Sequence, residues 1–155
     1  MANYYLDTSA LVKRYLTREV GSNWVQQITD PATAPVLLVS AIAIVEVAGA
    51  LARKEREREL TTTERQQYLG LFAVDCQQLF SLLPITGGLL RLAANLTHRQ
   101  VLRAYDAVHL ASALQANQLL VNSGASPLTF VAADVHLCRA GQAEGLISED
   151  PLAHP

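Results

Sequence analysis

Short aliphatic runs, each followed by a longer helical stretch, recur along this chain, and that alternation restricts its fold more than any other feature. Tyr4 to Leu6 reads as a strand ending at Asp7, and Ser9 to Leu16 as a first helix introduced by cap-forming residues. A second helix spans Ser22 to Ile28, after which Asp30-Pro31 and Pro35 break the chain. Val36 to Val39 is a second strand, and Ser40 stands ready to cap a long helix from Ala41 to about Glu59. Thr61 and Glu64 form a capping box for a helix reaching about Leu79. Leu82 to Ile85 is a third strand, placed near an edge because Pro84 has no N–H to give a ladder. Thr86 caps a helix to about Leu96, and another, centred on Ala107 to Leu119, is apolar almost all round and therefore buried. Leu128 to Ala132 is a fourth strand, Asp134 opens the next helix, and Leu146-Ile147 adds a short terminal strand. Alternation of this kind gives an α/β fold with helices on both faces of a mainly parallel sheet of four or five strands, a three-layer α/β/α sandwich.

With 155 residues, no repeat and no linker, residues 1–155 read as a single domain. Half the residues are apolar and 17% are charged, which excludes a disordered or fibrous chain. A formal net charge of −2 excludes a surface basic all over, so a nucleic-acid partner has to be met by a local patch. Cys76 and Cys138 form no CxxC pair and read as ordinary buried thiols of a reducing compartment. The N-terminus has no basic region ahead of its first apolar run, so a cytoplasmic protein is expected. Ala34 to Ala52 imitates a membrane span, but Glu46 within it would cost roughly 2.5 to 3.5 kcal/mol there. The stretch is better read as a buried strand and a buried helix.

In open α/β sheets, functional residues gather beyond the carboxyl ends of the strands. Asp7 ends the first strand, Glu46 lies in the second turn of the helix after the second, and Asp134 follows the fourth. Asp106 opens the apolar helix, where free N–H groups and the helix dipole favour its charge. Taken singly, Asp7 and Asp134 are helix caps, while Glu46 and Asp106 are rim residues or arginine partners. Their places in the fold allow all four to face one edge, and capping does not predict that strand-end acids and helix acids should converge. Two carboxylates about 4 Å apart repel by roughly 4 kcal/mol at an effective dielectric near 20, a difficulty that a divalent cation removes. Oxygen-only ligation favours Mg2+ or Mn2+ over zinc, and such an ion suits hydrolysis of a phosphodiester.

The motifs in order resemble the PIN-domain family. Tyr5-Leu6-Asp7-Thr8-Ser9-Ala10-Leu11-Val12-Lys13 is similar to its opening signature, and Ser40 to Leu51, with Glu46 inside, to its second motif. Asp106-Ala107-Val108-His109-Leu110-Ala111 resembles the third, and Phe130-Val131-Ala132-Ala133-Asp134 with Ala143-Glu144-Gly145-Leu146 the closing segment. The resemblance implies a PIN-like fold and a VapC-like endoribonuclease using Mg2+ or Mn2+, usually dimeric and often inhibited by a VapB-like antitoxin. It further implies that Asp7, Glu46, Asp106 and Asp134 are the catalytic acids and metal ligands, with Thr8 or Ser9 supporting them. One departure is Ala132, where many relatives carry Ser or Thr, so a supporting hydroxyl is missing there.

His109, one turn after Asp106, reads as a satisfied core histidine on so apolar a helix. Lys13, Arg14 and Arg18 follow Asp7 closely and are candidate phosphate contacts, with a solvated surface the competing reading. Arg53 to Glu59 is a candidate RNA contact, but its mixed charges favour a solvated helix face with i,i+4 pairing. Gly87-Gly88 belongs to no nucleotide-binding pattern, and Trp24 and the tyrosines have no stacking-platform spacing. A phosphoacceptor signalling domain also gathers acids at strand ends but needs a late lysine, whereas the lysines here are Lys13 and Lys54. The remaining alternative is a catalytically weak or inactive PIN-like module that binds RNA or protein.

Overall fold

The computed structural model describes residues 1–155. In chain order it contains β1 (Asn3–Leu6), α1 (Thr8–Leu11), α2 (Ser22–Ile28), β2 (Val36–Ser40), α3 (Ala43–Arg56), α4 (Thr62–Gln78) and β3 (Phe80–Leu83). It continues with α5 (Gly87–Arg99), α6 (Ala104–Asn122), β4 (Thr129–Val131), α7 (Val135–Ala143) and β5 (Ile147–Glu149). Short 3-10 turns cover Val12–Arg14, Pro31–Thr33 and Pro151–Ala153. The five strands form one sheet in the order β3-β2-β1-β4-β5, with every neighbouring pair parallel.

Alternation along the strands sorts the core into two layers. Tyr5, Leu38 and Phe130, paired across β2-β1-β4, pack with α5, α6 and α7. Their neighbours Leu6, Leu37, Val39 and Val131 pack with α1, α3 and α4 on the opposite face. This is the α/β/α sandwich the alternation implies. Helix α6 is buried from Ala107 to Ala113, in keeping with its all-round apolarity. No helix is long and apolar enough to cross a membrane.

Several boundaries differ from the sequence reading, for local physical reasons. The first helix ends at Leu11 and tightens into the Val12–Arg14 turn, where the Ser22 hydroxyl donates to the Lys13 carbonyl and takes it out of a helical ladder. Ser40 does not cap α3; it is the last residue of β2, and its hydroxyl accepts only a long 3.4 Å bond from the Ile42 N–H. Helix α3 stops at Arg56 because Arg58 turns into the left-handed region at φ 62°. Strand β3 lies two residues earlier than Leu82 to Ile85, since the Phe80 ring fills the core beside Phe72. Pro84 falls just outside the ladder, at the edge where it was placed. Both cysteines are free, and burial pushes the Cys138 thiol up to about 12, which makes it unreactive.

Candidate active site

The strand order reverses between β1 and β4, though the strands stay parallel: β2 and β3 lie on one side of β1, and β4 and β5 on the other. Such a switch point leaves a crevice beyond the carboxyl ends of the strands. Asp7 is delivered there by β1 and pinned by its N–H, which donates to the Val131 carbonyl of β4 at 3.0 Å. It caps α1 through Oδ1, which accepts the Ala10 N–H at 3.1 Å and the Ser9 hydroxyl at 2.6 Å. The Ser9 oxygen in turn accepts the Ala133 N–H at 2.9 Å, tying the end of β1 to the residue before Asp134. Asp134 caps α7 through Oδ1, which accepts the His136 and Leu137 N–H groups.

Glu46 lies in the first turn of α3, half a turn earlier than the sequence boundary implied, and its Oε1 accepts the Thr8 hydroxyl at 3.0 Å. The same oxygen meets Nε2 of His109 at 2.5 Å. His109 is 1% exposed, and its Nδ1 is held by the Tyr5 hydroxyl at 2.8 Å, so both ring nitrogens are satisfied. Asp106 stands in the first turn of α6.

Asp7, Glu46, Asp106 and Asp134 all line one open cleft of about 690 Å3, with Thr8, Ser9 and His109. Its electrostatics are strained. Burial raises the Asp7 carboxyl to about 6 against the opposing pull of His109, Ser9 and the Ala10 N–H. Burial, and then the charge of Asp134, raise Asp106, with His109 and Arg103 opposing. As the side chains stand, no three of the acids form a metal-ligating group. One oxygen each of Asp7 and Asp134 faces a helix N-terminus, and one of Glu46 faces His109. Oδ2 of Asp7, Oε2 of Glu46, Oδ2 of Asp134 and both oxygens of Asp106 make no hydrogen bond. An all-oxygen donor set with at least one unengaged atom per carboxylate fits a hard divalent cation in kind.

The cations are placed differently from the sequence reading. Lys13 is buried with its ammonium 3.0 Å from Glu19, and Arg14 is committed to Asp75 and to Thr29 outside the cleft, so neither faces the acids. Arg18 reaches toward Glu64, also outside it. The cleft is instead flanked by Arg53, Lys54 and Arg56 of α3 and by Arg103. Sequence reasoning weighed Arg53, Lys54 and Arg56 and read their mixed-charge run as a solvated face, although Arg53 lies two helical turns beyond Glu46; it missed Arg103, three residues before Asp106. Glu19 also lines the cleft, held there by Lys13 and Lys54.

Comparisons with known proteins match a PIN domain family model to residues 4–125. No curated protein matches the sequence. Among solved structures, the chain is similar to VapBC2 from Rickettsia felis, a complex bound to a DNA fragment from its promoter. There the identity is 12% and the TM-score 0.61, over 96% of this chain and 98% of that one. It is similar to VapC20 from Mycobacterium tuberculosis, a toxin that cleaves the sarcin-ricin loop, at 15% identity and TM-score 0.60 over 93% and 96% of the chains. It is also similar to FitAcB from Neisseria gonorrhoeae, at 18% identity and TM-score 0.59 over 96% and 97%. At these identities the likeness is one of fold.

Proposed function

The chain belongs to the PIN-domain family, and from that membership we propose that it is a metal-dependent endoribonuclease, the toxin of a type II toxin-antitoxin pair. The observation that carries the reading is the set of four acids on one cleft, each with an oxygen free of protein partners. Two of them are held above the ordinary carboxylate range, a cost that folding alone does not explain.

Asp7, Glu46, Asp106 and Asp134 would hold Mg2+ or Mn2+, and the bound ion would orient water and neutralise charge gathering on the phosphate. Ser9 fixes the Asp7 carboxylate, and Thr8 and His109 fix Glu46. Ala132 offers no hydroxyl, which leaves Ser9 as the side chain donating to Asp7. A homodimer in the cytoplasm, restrained by a VapB-like antitoxin, is part of the same proposal. Its support is the likeness in fold to the VapBC2 and VapC20 structures.

The test is cleavage of a broad RNA panel in Mg2+ or Mn2+ by the parent protein and by Asp7→Asn. Parent cleavage that disappears in chelator and in the variant is expected. A highly purified parent that binds RNA and cuts none would replace the enzyme with a binding module.

A further inference from the structure

The cations around the cleft are not equivalent. Lys54 is tied to Glu19 and Glu59, and Glu55 is tied to Arg65 and the Thr62 hydroxyl. Arg53, Arg56 and Arg103 line the cleft with no ion pair and no side-chain hydrogen bond. The mixed-charge end of α3 is thus sorted by folding: its lysine and Glu55 are neutralised locally, and two guanidinium groups are left facing the acids' side.

Helix geometry gives these arginines a spacing. Glu46, Gly49, Ala50, Arg53 and Arg56 follow one another in steps of one or three residues along the cleft wall. At 1.5 Å per residue, Arg53 stands about 10 Å and Arg56 about 15 Å along the axis from Glu46. Gly49 lies between, inside the helix, and a Cβ there would meet nothing within 4 Å. Neither packing nor backbone conformation requires a glycine at this position, and glycine weakens a helix. What its absent side chain provides is a low floor between the acids and the free guanidinium groups.

We infer that this wall of α3 is a single-stranded RNA subsite, in which the strand crosses Gly49 and Ala50 and its phosphates beyond the acids are bound by Arg53 and Arg56. Arg103, at the start of α6, lines the same cleft. The inference rests on the nuclease reading for the position of the scissile phosphate. Guanidinium forks match phosphate oxygens in a way an ammonium does not, so the pairing of Lys54 leaves the better phosphate ligands free. Phosphate contacts carry no base information, so the subsite sets affinity and strand direction rather than sequence preference.

The test is binding of a fluorescein-labelled single-stranded RNA about 12 nucleotides long, by metal-free protein in chelator, across a salt series. Arg53→Gln with Arg56→Gln is compared with a pair of equal charge change outside the cleft, Arg91→Gln with Arg139→Gln. The cleft pair is expected to lower the log–log salt slope by about 1.4, at about 0.7 per phosphate contact, with the outer pair close to parent. Gly49→Leu is expected to raise the melting temperature and weaken RNA binding, opposite movements that a purely structural role does not produce. Equal slopes for the two pairs, or unchanged RNA binding in Gly49→Leu, would overturn the subsite. If the parent still cuts RNA in that case, the nuclease reading survives alone. RNA bound through Arg53 and Arg56 but never cut would leave the subsite and remove the nuclease, and a parent that neither binds nor cuts removes both.

Discussion

Glu46 Oε1 and His109 Nε2 stand 2.5 Å apart on the inner wall of the cleft, joining the first turn of α3 to the buried helix α6. Through Nδ1 the same ring binds the Tyr5 hydroxyl of β1, so one chain of hydrogen bonds runs from the central strand to a cleft carboxylate. Burial disfavours the charged imidazole, but the bond to Glu46 and the charges of Asp7, Glu46 and Asp106 outweigh it and raise its pKa.

Tyr5→Phe keeps the packing against Phe130 and removes only the hydroxyl. It leaves a buried ring nitrogen without its partner, which is expected to cost about 1 to 2 kcal/mol of stability by urea denaturation. No loss would mean that the His109 orientation does not depend on Tyr5.

Asp7→Asn is expected to stabilise the metal-free protein while abolishing cleavage. Asp7 has an ordinary value of 3.8 and is raised to about 6 by burial, so the folded state holds more protons than the unfolded state between those values. Stability therefore falls as pH rises through that window, to a penalty of at most about 3 kcal/mol above it. Asparagine carries no charge and retains an oxygen for Ser9 and Ala10. Thermal melts should show the variant ahead of the parent at pH 7.5 and the gap closing toward pH 4. A variant less stable than the parent at pH 7.5 would contradict this.

Glu19 behaves in the opposite sense. Burial alone would raise it, but hydrogen bonds and charge from Lys54 and Lys13 outweigh that and hold it below its ordinary 4.5. Its contribution is therefore present above that value and lost as pH falls below it through the depressed folded pKa. Glu19→Gln leaves the Lys13 ammonium, whose side chain is 8% exposed, without its partner. A cost of about 2 kcal/mol at neutral pH, between the exposed and buried limits, is expected to shrink in acid.

Gly49→Ala adds a methyl group where nothing lies within 4 Å. Helix propensity should then raise stability by roughly 0.5 to 1 kcal/mol, read as a higher melting temperature. Destabilisation would show that the cleft wall is tighter than its geometry indicates.

The layers, the parallel sheet and the positions of Asp7 and Asp134 at helix starts were legible because each rests on local chemistry: alternating aliphatic runs, helix caps at Asp7, Thr61, Thr86 and Asp134, and one apolar helix. The cations were not. Lys13 and Arg14 are near Asp7 in sequence but turn away into Glu19 and Asp75, partners fixed only by tertiary packing. The ends of α1 and α3 were missed because a serine-to-carbonyl bond and a left-handed residue stop them, and neither leaves a periodic trace. The pairing of Glu46 with His109 joins residues 63 apart in sequence, beyond the reach of any spacing argument.

The most direct measurement is Mn2+ binding to the purified protein by calorimetry, with Asp7→Asn and Asp106→Asn alongside. The account expects the parent to bind the ion and each variant, still folded, to lose at least about tenfold in affinity, or about 1.4 kcal/mol. A parent that takes up no Mn2+, or variants that bind it as the parent does, would contradict the claim that these acids serve a common ion.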